Sequence, residues 1–253
     1  MRKMSFAICL CAAVMFPAKA AAAGASPLYP NPSNYRDFKY HALVIGVDRK
    51  VVKGSGSTCH VPFAGQLADF LKKWKCFSEG GVMVLKGGEA TKRRIREAVS
   101  NPRLGPKDVL VVYYGGHGDY AGIVGGDGEH LSPDDIFGYM RSSGAGFKVL
   151  LVSACYSGIF SDPDEEWSET PKPEFAIATS GEESGTTTFG SVGFGPYLWK
   201  FLNQKYSRAP GFVTLGGFVN FIKTENASWK KRGKSRLSDG RNYGPKDSVI
   251  LWN

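Results

Sequence analysis

Two residues in this 253-residue chain could supply a thiol nucleophile and its base. Cys155 lies in Ala154-Cys155-Tyr156-Ser157-Gly158 and His117 in Gly115-Gly116-His117-Gly118, each directly after a short apolar run. A thiolate attacks a carbonyl carbon where a thiol does not, and a neighbouring imidazole can lower the thiol pKa from about 8.5. The same imidazole can take the proton and return it to a leaving amine. Small residues on either side let backbone approach a substrate closely. That is acyl-transfer chemistry. It requires the two side chains to meet although 37 residues separate them.

The flanking runs explain how they meet. Val109 to Tyr114 and Val149 to Val152 are too short and too β-branched for helices, and uniformly apolar rather than alternating. Such runs suit strands buried on both faces of a parallel sheet. Side chains just past the carboxyl ends of adjacent parallel strands share one crevice. The rest of the chain alternates strand with helix. Strands are expected at Tyr40 to Val47, Val82 to Leu85, Phe175 to Thr179 and Val249 to Trp252. Helical spacing follows Pro62 through Phe63, Leu67, Phe70, Leu71 and Trp74, and recurs from Thr91 through Ile95, Ala98 and Val99 to a stop at Pro102. A hairpin is expected through Ile123 and Val124, and helices at Pro196 to Leu202 and Leu215 to Trp229. Ser132, Pro133 and Asp135 form a strong helix start. The class is α/β with a mainly parallel sheet of about six strands.

Residues 1–23 stand apart from this core. Arg2 and Lys3 precede an apolar stretch from Ser5 to Phe16, followed by Ala-x-Ala sites between Ala18 and Ala25. The pattern is that of a secretory signal peptide, too short to span a bilayer comfortably, so the mature protein is expected to be secreted or periplasmic. No later segment approaches transmembrane length. Residues 24–39 read as a linker and 40–253 as one domain. Losing Arg2, Lys3 and Lys19 leaves 29 basic residues against 23 acidic, and the formal charge falls from +9 to +6. The basic run Lys230 to Arg236 lacks interleaved aromatics and reads as a solvated surface loop, so no specific nucleic-acid partner is expected. After export three cysteines remain. A Cys59–Cys76 bridge beside a third, reactive thiol and two independent thiols are both open readings.

Four blocks carry a family resemblance: ALVIGVD from Ala42, YGGHGD from Tyr114, IVGGDGEHLSPDDI from Ile123 and LLVSACYSG from Leu150. In order and spacing the chain resembles the clan CD cysteine peptidases, the caspase and metacaspase group (peptidase C14), and within it the caspase-like domains of bacteria. The resemblance implies a caspase-like three-layer α/β/α sandwich acting on peptide or protein substrates. It implies a Cys155–His117 dyad with no required third member, and an oxyanion hole from the backbone N–H groups of Gly118 and Cys155. His41 and His130 read as structural, and His60 as a loop residue beside Cys59.

Several departures limit what carries over. Metacaspases cutting after Arg or Lys have an acid two residues before the nucleophile and another at the start of the first helix, where this chain has Ser153 and Ala64. The loop Ser180-Gly181-Glu182-Glu183-Ser184 lines the pocket in this fold, so Glu182 or Glu183 could restore a basic preference. Asp134, Asp135 and Asp162, with Asp127 as a fourth, match the acids of a metacaspase Ca²⁺ site. Asp134 and Asp135 serve a helix N-terminus equally well, and no cofactor is required by the dyad chemistry. Ser161 to Pro173 corresponds to a segment often cleaved during maturation. Hydrolysis is the leading outcome. Transfer of the acyl group to an amine, as in a transpeptidase, and a catalytically silent binding protein are the alternatives.

Overall fold

A computed structural model gives the fold and describes residues 29–48, 59–160, 174–180, 194–206, 211–231 and 242–252. The leader, Asp162 with the 161–173 segment, Glu182, Glu183 and residues 232–236 of the basic run lie outside the described residues.

In chain order the strands are β1 (Lys39–Gly46), β2 (Phe77–Lys86), β3 (Asp108–Gly115), β4 (Gly118–Asp119), β5 (Gly122–Val124), β6 (His130–Leu131), β7 (Phe147–Ser153), β8 (Phe175–Thr179), β9 (Phe212–Thr214), β10 (Asn242–Tyr243) and β11 (Val249–Trp252). The helices are α1 (His60–Leu71), α2 (Lys92–Val99), α3 (Pro133–Ser142), α4 (Phe194–Tyr206) and α5 (Leu215–Lys231). The central sheet has six strands in the order β10-β8-β7-β3-β1-β2. All its pairings are parallel except β10 on β8.

Alternation along the strands builds two cores. Val109, Val111 and Tyr113 face one way, with Leu67 and Leu71 of α1, Leu198 and Leu202 of α4 and Phe218 of α5. Leu110, Val112 and Tyr114 face the other way, with Ile95 and Val99 of α2 and Ile136, Phe137 and Met140 of α3. The arrangement is a three-layer α/β/α sandwich. Both faces of β3 and β7 are covered, which is why their sequences are continuously apolar. Helix α2 is short and basic outside, so burial of Ile95 and Val99 holds it down at about 2 kcal/mol each.

Some elements differ from the sequence expectation. Val249–Trp252 does not join the central sheet; it pairs antiparallel with β9 in a separate two-stranded sheet, and Asn242–Tyr243 supplies the sixth central strand. The hairpin through Ile123 is a three-stranded sheet, β4-β5-β6. Residues 29–38 pack closely: the Pro30 carbonyl accepts from Val249 N at 2.7 Å, and the buried Tyr35 ring lies 5.5 Å from those of Phe212 and Trp252. The Cys59–Cys76 bridge does not form, and both residues are thiols. They flank α1, whose 12 residues span about 18 Å, beyond the reach of a disulfide. Cys76 is instead a core residue whose pKa burial pushes up to about 12. Among the described residues, no helix is long and apolar enough to cross a membrane.

Candidate active site

Strands β3 and β7 are parallel neighbours in register from Val109↔Phe147 to Gly115↔Ser153. Their following turns therefore emerge together. After β3, Gly116 N donates to Ser153 O at 3.1 Å, tying one turn to the other strand. The His117 carbonyl accepts from Val124 N at 3.0 Å and lies 2.8 Å from the Tyr114 hydroxyl, itself 2.7 Å from Val124 O. Burial of Tyr114 pushes its pKa up, so the hydroxyl remains a donor. A Cβ on Gly118 would lie 2.5 Å from the Cys155 carbonyl oxygen and 3.1 Å from Ala154 Cβ. Only glycine lets the histidine turn pack this closely on the cysteine turn.

The cysteine turn is fastened from a third strand. Ser180, directly after β8, donates its backbone N–H to Val152 O at 2.9 Å. Its hydroxyl accepts from Ala154 N at 3.0 Å and lies 3.1 Å from Ala154 O and 3.3 Å from the fully buried Ser157 hydroxyl. The turn is also strained: Tyr156 has φ 54°, the one positive value at a non-glycine among the described residues. Ser180 belongs to the loop expected to line the pocket, but what it does here is brace the backbone preceding Cys155. Ser153 is buried under the same turn. Ala64 is a buried residue of the α1 core, where a Cβ on Gly46 would meet its Cβ at 2.6 Å.

Sequence reasoning missed His60. It is not a loop residue but the first residue of α1, only 5% exposed, with its ring centroid 6.4 Å from that of His117 at an interplanar angle of 69°. The helix start holds it there. The cap position is Cys59, whose side chain makes no capping bond, and Asp48 takes its place: one carboxylate oxygen accepts from His60 N at 2.8 Å and the other from Val61 N at 3.3 Å. Burial pushes the His60 pKa down to about 4, with Asp48 opposing and His117 adding to the fall. The available sequence signal was Asp48 at the end of the ALVIGVD block.

The remaining candidates have structural partners. His41 lies 3.3 Å from Asp108, and His130 lies 2.8 Å from Asp119. Asp127 accepts from Lys92 N at 3.0 Å and from Glu129 N at 3.3 Å. Asp135 closes a capping box with Ser132, each accepting from the other's N–H at 3.1 Å. The Lys92 ammonium contacts Asp135 at 2.8 Å and the His130 carbonyl at 2.9 Å. Burial alone would raise the Asp135 pKa, but Lys92 and Ser132 outweigh it and hold the carboxyl low. Asp134 is exposed at the helix start. The Asp135 carboxylate is thus paired with an ammonium and the Asp127 carboxylate with two backbone N–H groups, while Asp162 lies outside the described residues. Among the described residues no group of three or more His, Cys, Asp or Glu is arranged to hold a metal.

A parallel sheet carrying Cys and His turns on adjacent strand ends defines the caspase-like class of α/β proteins. The sequence profile of the caspase domain family (peptidase C14) matches residues 40–234, and this chain belongs to that family. Among solved structures it is similar to caspase-1 from Spodoptera frugiperda, with a TM-score of 0.53 and 16% identity over 76% of this chain and 77% of that one. At such low identity the likeness speaks for the fold. No curated protein matches the chain.

Proposed function

We propose that this protein is an exported cysteine endopeptidase with Cys155 as nucleophile and His117 as general acid and base. The observation that carries the reading is the packing of Gly118 directly on the backbone of Cys155, at the shared edge of two neighbouring parallel strands. In the first half-reaction His117 takes the Cys155 proton and the sulfur bonds to the scissile carbonyl carbon. The oxyanion accepts hydrogen bonds from the N–H groups of Gly118 and Cys155, donors that typically supply a factor of about 10²–10³ each. His117 protonates the amine as the C–N bond breaks, leaving a thioester. In the second half, His117 takes a proton from water as hydroxide adds to the thioester carbon, the C–S bond breaks to release the acid product, and His117 returns the proton to the Cys155 sulfur. The chain's own groups complete this cycle with no metal or cofactor.

Export rests on the leader in residues 1–23. Specificity rests on Glu182 or Glu183, which follow the crevice residue Ser180 in sequence and offer a carboxylate for a basic P1 side chain. The test is peptide-library profiling of residues 24–253 beside Cys155→Ala and Cys59→Ala. Turnover is expected in the parent and in Cys59→Ala, and none in Cys155→Ala. Equal cleavage by Cys155→Ala removes the assignment.

A further inference from the structure

We infer that His60 is a positioning residue for His117: a second, buried imidazole set against the ring of the base so that the base holds one orientation through the reaction. The inference rests on the peptidase reading and deepens it. Its observations are geometric. The two rings stand 6.4 Å apart, edge toward face, the arrangement in which aromatic pairs attract. His60 is 5% exposed and its backbone is tethered twice to Asp48. Asp48 in turn follows Val47, whose N–H donates to Gly115 O at 2.9 Å, two residues before His117. The close approach has a sequence requirement, because a Cβ on Gly46 would lie 2.6 Å from the His60 carbonyl oxygen. One rigid path thus runs from the end of β1 through the first turn of α1 to the ring of the base.

The chemistry explains why a buried, neutral ring suits this place. His117 carries a positive charge each time it holds the proton, and a second cation beside it would oppose that charge. Burial keeps His60 uncharged near neutral pH, so it packs on His117 without repelling the imidazolium. Holding the base in place lowers the barrier without adding a proton-transfer step. Misplacing a catalytic group by about 1 Å can cost about 10²-fold in rate.

His60→Leu fills the site without a planar ring, His60→Phe restores the ring without its nitrogens, and Asp48→Asn loosens the tether while leaving His60 in place. The readouts are kcat and KM on a cleaved peptide, together with iodoacetamide alkylation of Cys155 followed by mass spectrometry. His60→Leu is expected to lower kcat by about 10- to 100-fold with KM within about twofold. His60→Phe should recover kcat to within about threefold of the parent, and Asp48→Asn should fall between them. A parent-like kcat in His60→Leu, or equal losses in the Leu and Phe variants, overturns the inference. Should His60→Leu not fold, Asp48→Asn decides: an unchanged kcat overturns it. A parent that neither cleaves peptides nor alkylates at Cys155 faster than at Cys59 removes the peptidase reading and this inference together. A cleaving parent matched by His60→Leu removes this inference alone.

Discussion

At the residue scale, the turn that carries the proposed nucleophile Cys155 is braced by hydrogen bonds from Ser180 to Ala154. Ala154 N would be an orphan donor without the Ser180 hydroxyl, and a buried polar group left without a partner costs about 1–3 kcal/mol. Ser180→Ala should therefore lower stability by about that amount in urea titrations. It should also reduce kcat more than it raises KM, because the loosened atoms adjoin the proposed oxyanion donor at Cys155. A variant with unchanged stability and rate would show that the strained turn at Tyr156 stands without this brace. His60 gives a second expectation, in pH. Its folded pKa of about 4 lies below the ordinary value of 6.5, so between these limits the unfolded chain binds a proton that the folded chain does not. Stability is then complete above about pH 6.5 and falls toward pH 4, by about 3 kcal/mol from this residue. Urea titrations of the parent and His60→Leu at pH 7 and pH 4 measure it. If both lose the same stability on acidification, His60 is not the group responsible.

At the element scale, what the sequence reveals depends on where the determinants lie. Helix α3 was legible because Ser132, Pro133 and Asp135 are adjacent and form the cap themselves. The start of α1 was not, because its cap is Asp48, 12 residues upstream of His60, whereas the apolar spacing alone begins only after Pro62 and puts His60 in a loop. Proline does not contradict the earlier start, since in a first helical turn its missing N–H costs nothing. The strands β3 and β7 were legible as buried runs, whereas the partner of Val249–Trp252 was not, since pairing depends on where α5 returns the chain. The acids at the start of α3 were legible too, but not the ammonium that pairs with Asp135. Lys92 links α2, β6 and α3 through a half-buried ion pair, and Lys92→Met should destabilise the fold by about 1 kcal/mol. With that ammonium in place, millimolar Ca²⁺ should leave both the melting temperature and the cleavage rate of the parent unchanged. A rise in either on adding Ca²⁺ would show a site involving residues other than those paired here.

At the scale of the whole molecule, the crevice lies where the strand order reverses. From β1 the chain crosses to β2 on one side and then to β3 on the other, so the connections diverge at the carboxyl ends of β1 and β3. Asp48 and His60 enter from the first side and His117 from the second, with Cys155 and Ser180 following on β7 and β8. The chain carries a formal charge of +9, which disfavours basic substrates at long range, so a basic P1 preference needs a local carboxylate. Among the described residues the two expected positions do not supply one, since Ser153 is a buried hydroxyl and Ala64 lies in the core, and Asp48 nearby is bound to the α1 N-terminus. Glu182 and Glu183 remain. Breaking a desolvated guanidinium–carboxylate pair typically costs about 3–5 kcal/mol, or about 10²–10⁴-fold in kcat/KM. The double change Glu182→Gln with Glu183→Gln should therefore cut cleavage after Arg or Lys by that factor and leave cleavage after uncharged residues within about twofold. If cleavage after Arg survives undiminished, the pocket charge comes from another residue. If the parent prefers an uncharged P1, the likeness to metacaspases ends at the fold and the dyad.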